Sequence, residues 1–191
     1  EIGGGFGGKI PIYLEPIVAT LSKKSRRPVK AIMERSNVFQ ASGPAPGGTI
    51  TVKMGTDKNG KLIAADTSIK LEAGGFPGAA VGAAVQCIFA PYDIPNTRID
   101  GYDIVVNKPK SAAYRAPGSP QAAFATETVV NELAELHGMD RVEFRQINAS
   151  KEGTRRADGV VFPVIGNEEV LDAAKASDHW NSELGEPMKG R

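Results

Sequence analysis

The chain has 191 residues, 41% of them hydrophobic and 24% charged, with 23 basic side chains against 22 acidic ones. Such a balance excludes a disordered chain, which needs less apolar surface and more unbalanced charge, and it excludes a global field that draws nucleic acid or anionic membrane. The apolar runs are too short to span a bilayer, and a single cysteine, Cys87, excludes internal disulfides and any CxxC motif.

Glu1-Ile2 leads straight into Gly3-Gly4-Gly5-Phe6-Gly7-Gly8-Lys9. A glycine-rich loop needs a strand before it to fix its position, so the chain reads as an internal piece of a longer protein. Residues 10–25 predict a helix, with Tyr13, Leu14, Ile17, Val18 and Leu21 at helical spacing and basic residues at its end. Pro16 is awkward there and predicts a kink or a late start. Residues 28–33, Pro-Val-Lys-Ala-Ile-Met, predict a strand. Residues 49–57 and 61–71 predict a hairpin across Lys58-Asn59-Gly60.

Residues 73–90 are rich in Gly and Ala and give no assignment. A third strand is expected over residues 97–106. The clearest helix covers residues 119–137, with Ser119 as cap, Pro120 in the first position and Gly138 as stop. Residues 140–148 predict a further short helix, and Asn167-Glu168-Glu169 caps another through Ala176, ahead of a frayed tail over residues 181–191. Paired strands and segregated helices define an α+β fold with a mixed or antiparallel sheet and packed helices. Residues 149–164 mark the domain boundary, which gives a first domain over residues 1–150 and a linker with the start of a second over residues 151–191.

Two loops carry the candidate chemistry. The first matches the dinucleotide fingerprint as Gly3-x-Gly5-x-x-Gly8, but no strand precedes it and no acidic residue stands about 20 positions on. It also matches a P-loop until Ile10 replaces the Ser or Thr that would hold Mg²⁺. In either case the glycines permit positive φ and close backbone approach, and the amides face an anion. A flexible linker is the plain alternative. The second loop is Ala112-Ala113-Tyr114-Arg115-Ala116-Pro117-Gly118-Ser119-Pro120-Gln121, which delivers amides and the Arg115 charge to a helix start. Alone it reads equally as an ordinary capped helix. Two such loops in one chain favour a shared anionic ligand. His137 and His179 lie far apart and read as surface or satisfied side chains rather than metal ligands.

Gly-Gly-Gly-Phe-Gly-Gly-Lys, followed about 105 residues later by Ala-Tyr-Arg-Ala-Pro-Gly-Ser-Pro-Gln, resembles the xanthine dehydrogenase and aldehyde oxidase family of molybdenum hydroxylases. Arg27-Pro28-Val29-Lys30, Ile32-Met33-Glu34-Arg35, Tyr92-Asp93-Ile94-Pro95-Asn96, Asn131-Glu132-Leu133-Ala134 and Phe144-Arg145-Gln146-Ile147-Asn148 resemble the same family. The resemblance implies a molybdopterin-binding domain. Its cofactor is molybdopterin with Mo, in the cytosine dinucleotide form, with 2Fe-2S and FAD on other domains or subunits. It places Phe6 and Arg115 at the metal through main-chain groups, lets Gly5 and Gly7 bring the backbone close, and adds Gln121 as a side chain at the cofactor or a support of the loop.

The reaction so implied hydroxylates an aldehyde or N-heterocycle with oxygen from water, using a glutamate base expected beyond residue 191. No catalytic residue is therefore assigned in this chain. Glu34, Glu127 and Glu132 are not promoted to that role, and the last two read as ordinary solvent-facing helix charges. Isolated, the chain is expected to be inactive. Ile10, Pro117 and the absence of Arg from residues 82–84 depart from the purine-oxidising pattern. The implied partners are the iron–sulfur and FAD subunits or domains, the remainder of the large subunit and a small aldehyde or heterocycle, with no nucleic acid or membrane, in the cytoplasm. The alternative is a non-catalytic scaffold or assembly subunit that keeps the fold and makes contacts through residues 73–90.

Overall fold

A computed structural model describes residues 4–186. Gly3 of the first loop and the last part of the expected tail lie outside the described residues. The centre of the fold is a hairpin, β1 (Gly48–Thr56) and β2 (Leu62–Gly74), paired antiparallel with Ile50 opposite Ile69. Asp57 closes it: its carboxylate accepts from Asn59 N at 2.8 Å and Lys61 N at 3.0 Å, the short-range bonding that makes Asp a turn residue. β3 (Asn96–Val105) then adds to the other edge of β2 in parallel, giving a three-stranded mixed sheet in the order β1-β2-β3. The fold is thus α+β.

A parallel pair needs a crossover, and the Gly/Ala-rich stretch left unassigned by sequence supplies it as a loop and a short helix (Val81–Cys87). A second, longer helix (Ser119–Leu136) lies against β1 and against the crossover helix. It buries Ala122, Thr126, Val130 and Ala134, one every fourth residue, so that a single narrow stripe meets the sheet. The opposing sheet face is Ala65, Thr67, Ile69 and Leu71, alternate positions of β2. A third helix (Arg141–Asn148) adds Phe144 to this core. Its cap is Asp140, whose carboxylate accepts from Val142 N and Glu143 N. In chain order these three helices are α3, α4 and α5.

Several expectations need correction. The first helix, α1 (Glu15–Ser25), starts late, with Pro16 in its first turn where a missing N–H costs nothing. Residues 28–33 are not a strand, because none of their backbone groups has a hydrogen-bond partner among the described residues. A short helix, α2 (Arg35–Ala41), follows them and escaped the sequence reading. The cap of α4 is Gly118, so Ser119 is its first helical residue. Likewise Gly166 precedes α6 (Asn167–Ala176), and Asn167 instead donates to Pro91 O and Ser150 O. A helical turn, α7 (Asp178–Asn181), precedes the expected tail and ends on its first residue.

Neither α1 nor α2 buries a residue. The accessible surface totals 12830 Å², against roughly 8,700 Å² for a compact monomer of this size. Among the described residues no helix is long and apolar enough to cross a membrane.

Candidate cofactor site

The two glycine-bearing loops meet. Arg115 N donates to Phe6 O at 2.7 Å, and the rings of Phe6 and Tyr114 lie 6.4 Å apart beside that bond. The first loop is a tight turn: Gly8 N donates to Gly5 O at 2.7 Å, with Phe6 at φ 50° and Gly7 at φ 99°. Two consecutive left-handed residues define the turn geometry, and at Phe6 a side chain accepts a conformation that favours glycine. Gly7 cannot be replaced without displacement, because a Cβ there would stand 2.7 Å from Ala113 Cβ and 2.9 Å from Ala113 O. The close approach of the two loops is built on that missing methyl.

The second loop repeats the device. Arg115 (φ 32°) and Ala116 (φ 54°) are both left-handed, and Gly118 (φ 90°) turns the chain into α4. Of the four non-glycine residues with positive φ among those described, Phe6, Arg26, Arg115 and Ala116, three sit in these two loops. Each such residue costs about 1–3 kcal/mol and persists where the surroundings hold it, a pattern that points to function. Gln121, in the first turn of α4, accepts from Gly118 N at 3.1 Å through Oε1, so its carbonyl supports the loop while its NH₂ has no partner among the described residues.

The residues present fit an acceptor-rich, anionic group. The amides of Phe6, Gly7 and Ala116 donate to nothing among the described residues, and Lys9 has no carboxylate partner there. Successive amides in left-handed turns form a concave set of donors, with the N-terminus of α4 behind them. Gly5, Phe6, Gly7, Arg115 and Gln121 are thus brought to one edge of the molecule. Phe6 and Tyr114 are both exposed, so the two loops form an open surface and no enclosure. No group of three or more His, Cys, Asp or Glu that could hold a metal occurs among the described residues. His137 Nε2 is instead paired with Thr56 Oγ1 at 2.7 Å.

Sequence reasoning misjudged Glu127. It is not a solvent-facing charge: it accepts from the Tyr92 hydroxyl at 2.6 Å and from Arg145 Nε at 2.9 Å, and Arg145 also reaches Asn131 Oδ1 at 3.0 Å. Burial, and then the Glu127 carboxylate, push the Tyr92 phenol well above its usual range. Glu132 is exposed as expected. Asp103 was also missed. It accepts from Gly78 N at 2.6 Å and Ala79 N at 3.0 Å, which holds its pKa below the usual carboxylate value and ties down the loop that leads into α3. That loop matters to the site because a Cβ on Gly118 would stand 2.3 Å from Ala80 O.

A helix-backed mixed sheet thus carries two strained loops whose free amides fit an anionic group. Residues 1–149 match the model of the molybdopterin cofactor-binding domain, and the chain belongs to that family, the cofactor-holding part of the molybdenum hydroxylases. It is 33% identical over 178 residues to the nicotinate dehydrogenase large molybdopterin subunit of Eubacterium barkeri, covering 91% of this chain and 42% of that one. It is 33% identical over 148 residues to the aldehyde oxidoreductase molybdenum-binding subunit PaoC of Escherichia coli K12, covering 77% and 20%. The aldehyde oxidoreductase of Desulfovibrio gigas superposes with a TM-score of 0.82 at 29% identity, covering 91% of this chain and 20% of that one. The chain therefore spans less than half the length of these relatives.

Proposed function

We propose that this chain forms one wall of the molybdopterin site in an oxidoreductase that hydroxylates an aldehyde or N-heterocycle with oxygen from water. The observation that carries the reading is the 2.7 Å bond from Arg115 N to Phe6 O, which unites two strained loops into one set of amide donors. In this reading the main chain at Phe6, Gly7, Arg115 and Ala116 orients the cofactor, Gly5 and Gly7 let the backbone approach, and the free NH₂ of Gln121 donates to it. When bound, the group supplies the two-electron redox chemistry, in its cytosine dinucleotide form, and the protein supplies placement and charge stabilisation.

The base belongs to the rest of the subunit, and 2Fe-2S and FAD belong to other domains or subunits. Glu127 is held by Tyr92 and Arg145 and is not free to act as that base. The isolated chain is accordingly inactive. Residues 1–150 belong to the first cofactor-binding domain and residues 151–191 lead into a second. The names of the similar proteins, nicotinate dehydrogenase and aldehyde oxidoreductase, support the substrate class.

The test is to purify the assembled enzyme from a host that makes the cofactor, and to measure molybdenum by mass spectrometry and the nucleotide released on acid hydrolysis. About one molybdenum and one cytidine nucleotide per chain is expected. An assembly that is intact, active as a scaffold and free of both would overturn the reading, as would aldehyde turnover by the 191 residues alone.

A further inference from the structure

Residues 74–80, Gly-Gly-Phe-Pro-Gly-Ala-Ala, carry no polar side chain, so this loop cannot fix its own shape and must be held from outside. Its support comes from β3 and the segment that follows β3. Gly75 N donates to Lys108 O at 3.0 Å, and Gly78 is gripped at both of its main-chain groups. Its N–H donates to Asp103 Oδ2 at 2.6 Å, and its carbonyl accepts from Lys110 Nζ at 2.9 Å. Asp103 Oδ1 takes the next amide, that of Ala79, at 3.0 Å. A carboxylate and an ammonium thus hold one residue from its two sides through charge-assisted bonds, which are stronger than neutral ones. Lys110 also donates to Ser111 O at 3.3 Å, one residue before the second cofactor loop begins at Ala112.

The loop so held is what Gly118 rests on. The space that a Cβ at Gly118 would need is taken by Ala80 O at 2.3 Å and Ala84 N at 2.9 Å, so the backbone there lies directly on the start of α3. Ser119 N, one residue on, donates to Ala116 O at 3.0 Å, and Arg115 N donates to Phe6 O. A shift of residues 78–80 is therefore passed through Gly118 to Ala116, whose amide is one of the free donors of the site, and to the bond that joins the two loops.

We propose that Asp103 and Lys110 are positioning residues for the second cofactor loop, which they set by holding residues 78–80 against Gly118. The inference takes the identity of what the loop holds from the reading above, while the positioning stands on this geometry alone. Asp103 is exposed and Lys110 half-buried. Charged contacts so close to water add little to global stability, and their effect is concentrated on the loop they hold. Support of this kind matters at a binding site because donors must be held to within a fraction of an ångström of the productive geometry.

Amide hydrogen exchange, melting temperature and the electron paramagnetic resonance spectrum of the metal, all measured on the assembled enzyme, test this. Asp103→Ala should speed exchange of the Arg115 amide roughly tenfold, leave buried Val130 in α4 unchanged and keep the melting temperature within a few degrees. Lys110→Met should act in the same direction. Asp103→Asn, which keeps one acceptor oxygen, should restore part of the protection. Asp100→Ala is the control: it lies on the same strand, its ion pair is with Arg98, and it should leave Arg115 unchanged. Unchanged exchange at Arg115 in Asp103→Ala overturns the proposal. So does an acceleration shared equally by Val130, which marks a general loss of stability. In molybdenum-loaded samples the spectrum of Asp103→Ala should differ from that of the natural chain, and an identical spectrum overturns the proposal. A natural assembly without molybdenum removes the cofactor reading instead, and the exchange result then decides the positioning by itself.

Discussion

The hydroxyl of Tyr92 reaches Glu127 Oε1 at 2.6 Å and so ties the segment ahead of β3 to the middle of α4. Tyr92 is 6% exposed. Tyr92→Phe should cost about 1–2 kcal/mol in urea unfolding, toward the lower end because the Glu127 side chain is 35% exposed.

The same pair predicts a pH limit. The folded state raises the Tyr92 pKa above its ordinary value of 10.0, so the folded chain keeps a proton that the unfolded chain releases. This contribution is complete below pH 10 and is lost as pH rises above it. Thermal unfolding between pH 9 and 11 should show a steeper loss for the natural chain than for Tyr92→Phe, measured on the same buffer series.

Asp103 predicts the opposite limb. Its pKa is lowered by the amides of Gly78 and Ala79, so its contribution is present above the ordinary value of 3.8 and disappears as pH falls through the folded pKa. Asp103→Ala should speed exchange of the Gly78 and Ala79 amides at neutral pH. In the natural chain the same acceleration should appear only below about pH 4.

Buried Asn148 clamps the hairpin to α5. Its Oδ1 accepts from Leu62 N at 2.8 Å, and its Nδ2 donates to Gly60 O and Phe144 O at 2.9 Å each. Asn148→Leu leaves the donor Leu62 N and the acceptor Gly60 O without these partners, and should destabilise by about 3 kcal/mol in denaturant titration.

Gly7→Ala forces a methyl into Ala113 at a φ of 99°. The proposed function then predicts at least a tenfold fall in bound molybdenum in the assembled enzyme, with a melting temperature lowered by only a few degrees. Arg115→Ala, which keeps the main chain, should lower it less. Gly55→Ala, where an added Cβ meets nothing within 4 Å, is the control and should leave molybdenum unchanged.

What the sequence disclosed follows from the range of the forces involved. The β1–β2 hairpin, α4 and α5 were legible because their signals are local: alternation across Asn59-Gly60, Gly138 past a helix end and Asp140 as a cap. Both cofactor loops were legible as motifs. That the Phe6 and Arg115 loops would face one ligand was implied by the resemblance, whereas the bond from Arg115 N to Phe6 O was not read at all, since no local rule joins positions that far apart. Residues 28–33 failed because a strand signal specifies a tendency and not a partner. α3 was missed because Gly82-Ala83-Ala84 offers little periodic bulk, and Glu127 because an ion pair with Arg145 on another helix leaves no trace in spacing.

The parallel union of β2 with β3 has a consequence for biosynthesis. β2 finishes at Gly74, and its second neighbour is complete only at Val105. At translation speeds of about 5–20 residues per second, the most apolar strand of the fold waits seconds on the ribosome with one side bare. Chaperone dependence should therefore track elongation rate through codons 75–105, and slowing synthesis there should lower soluble yield.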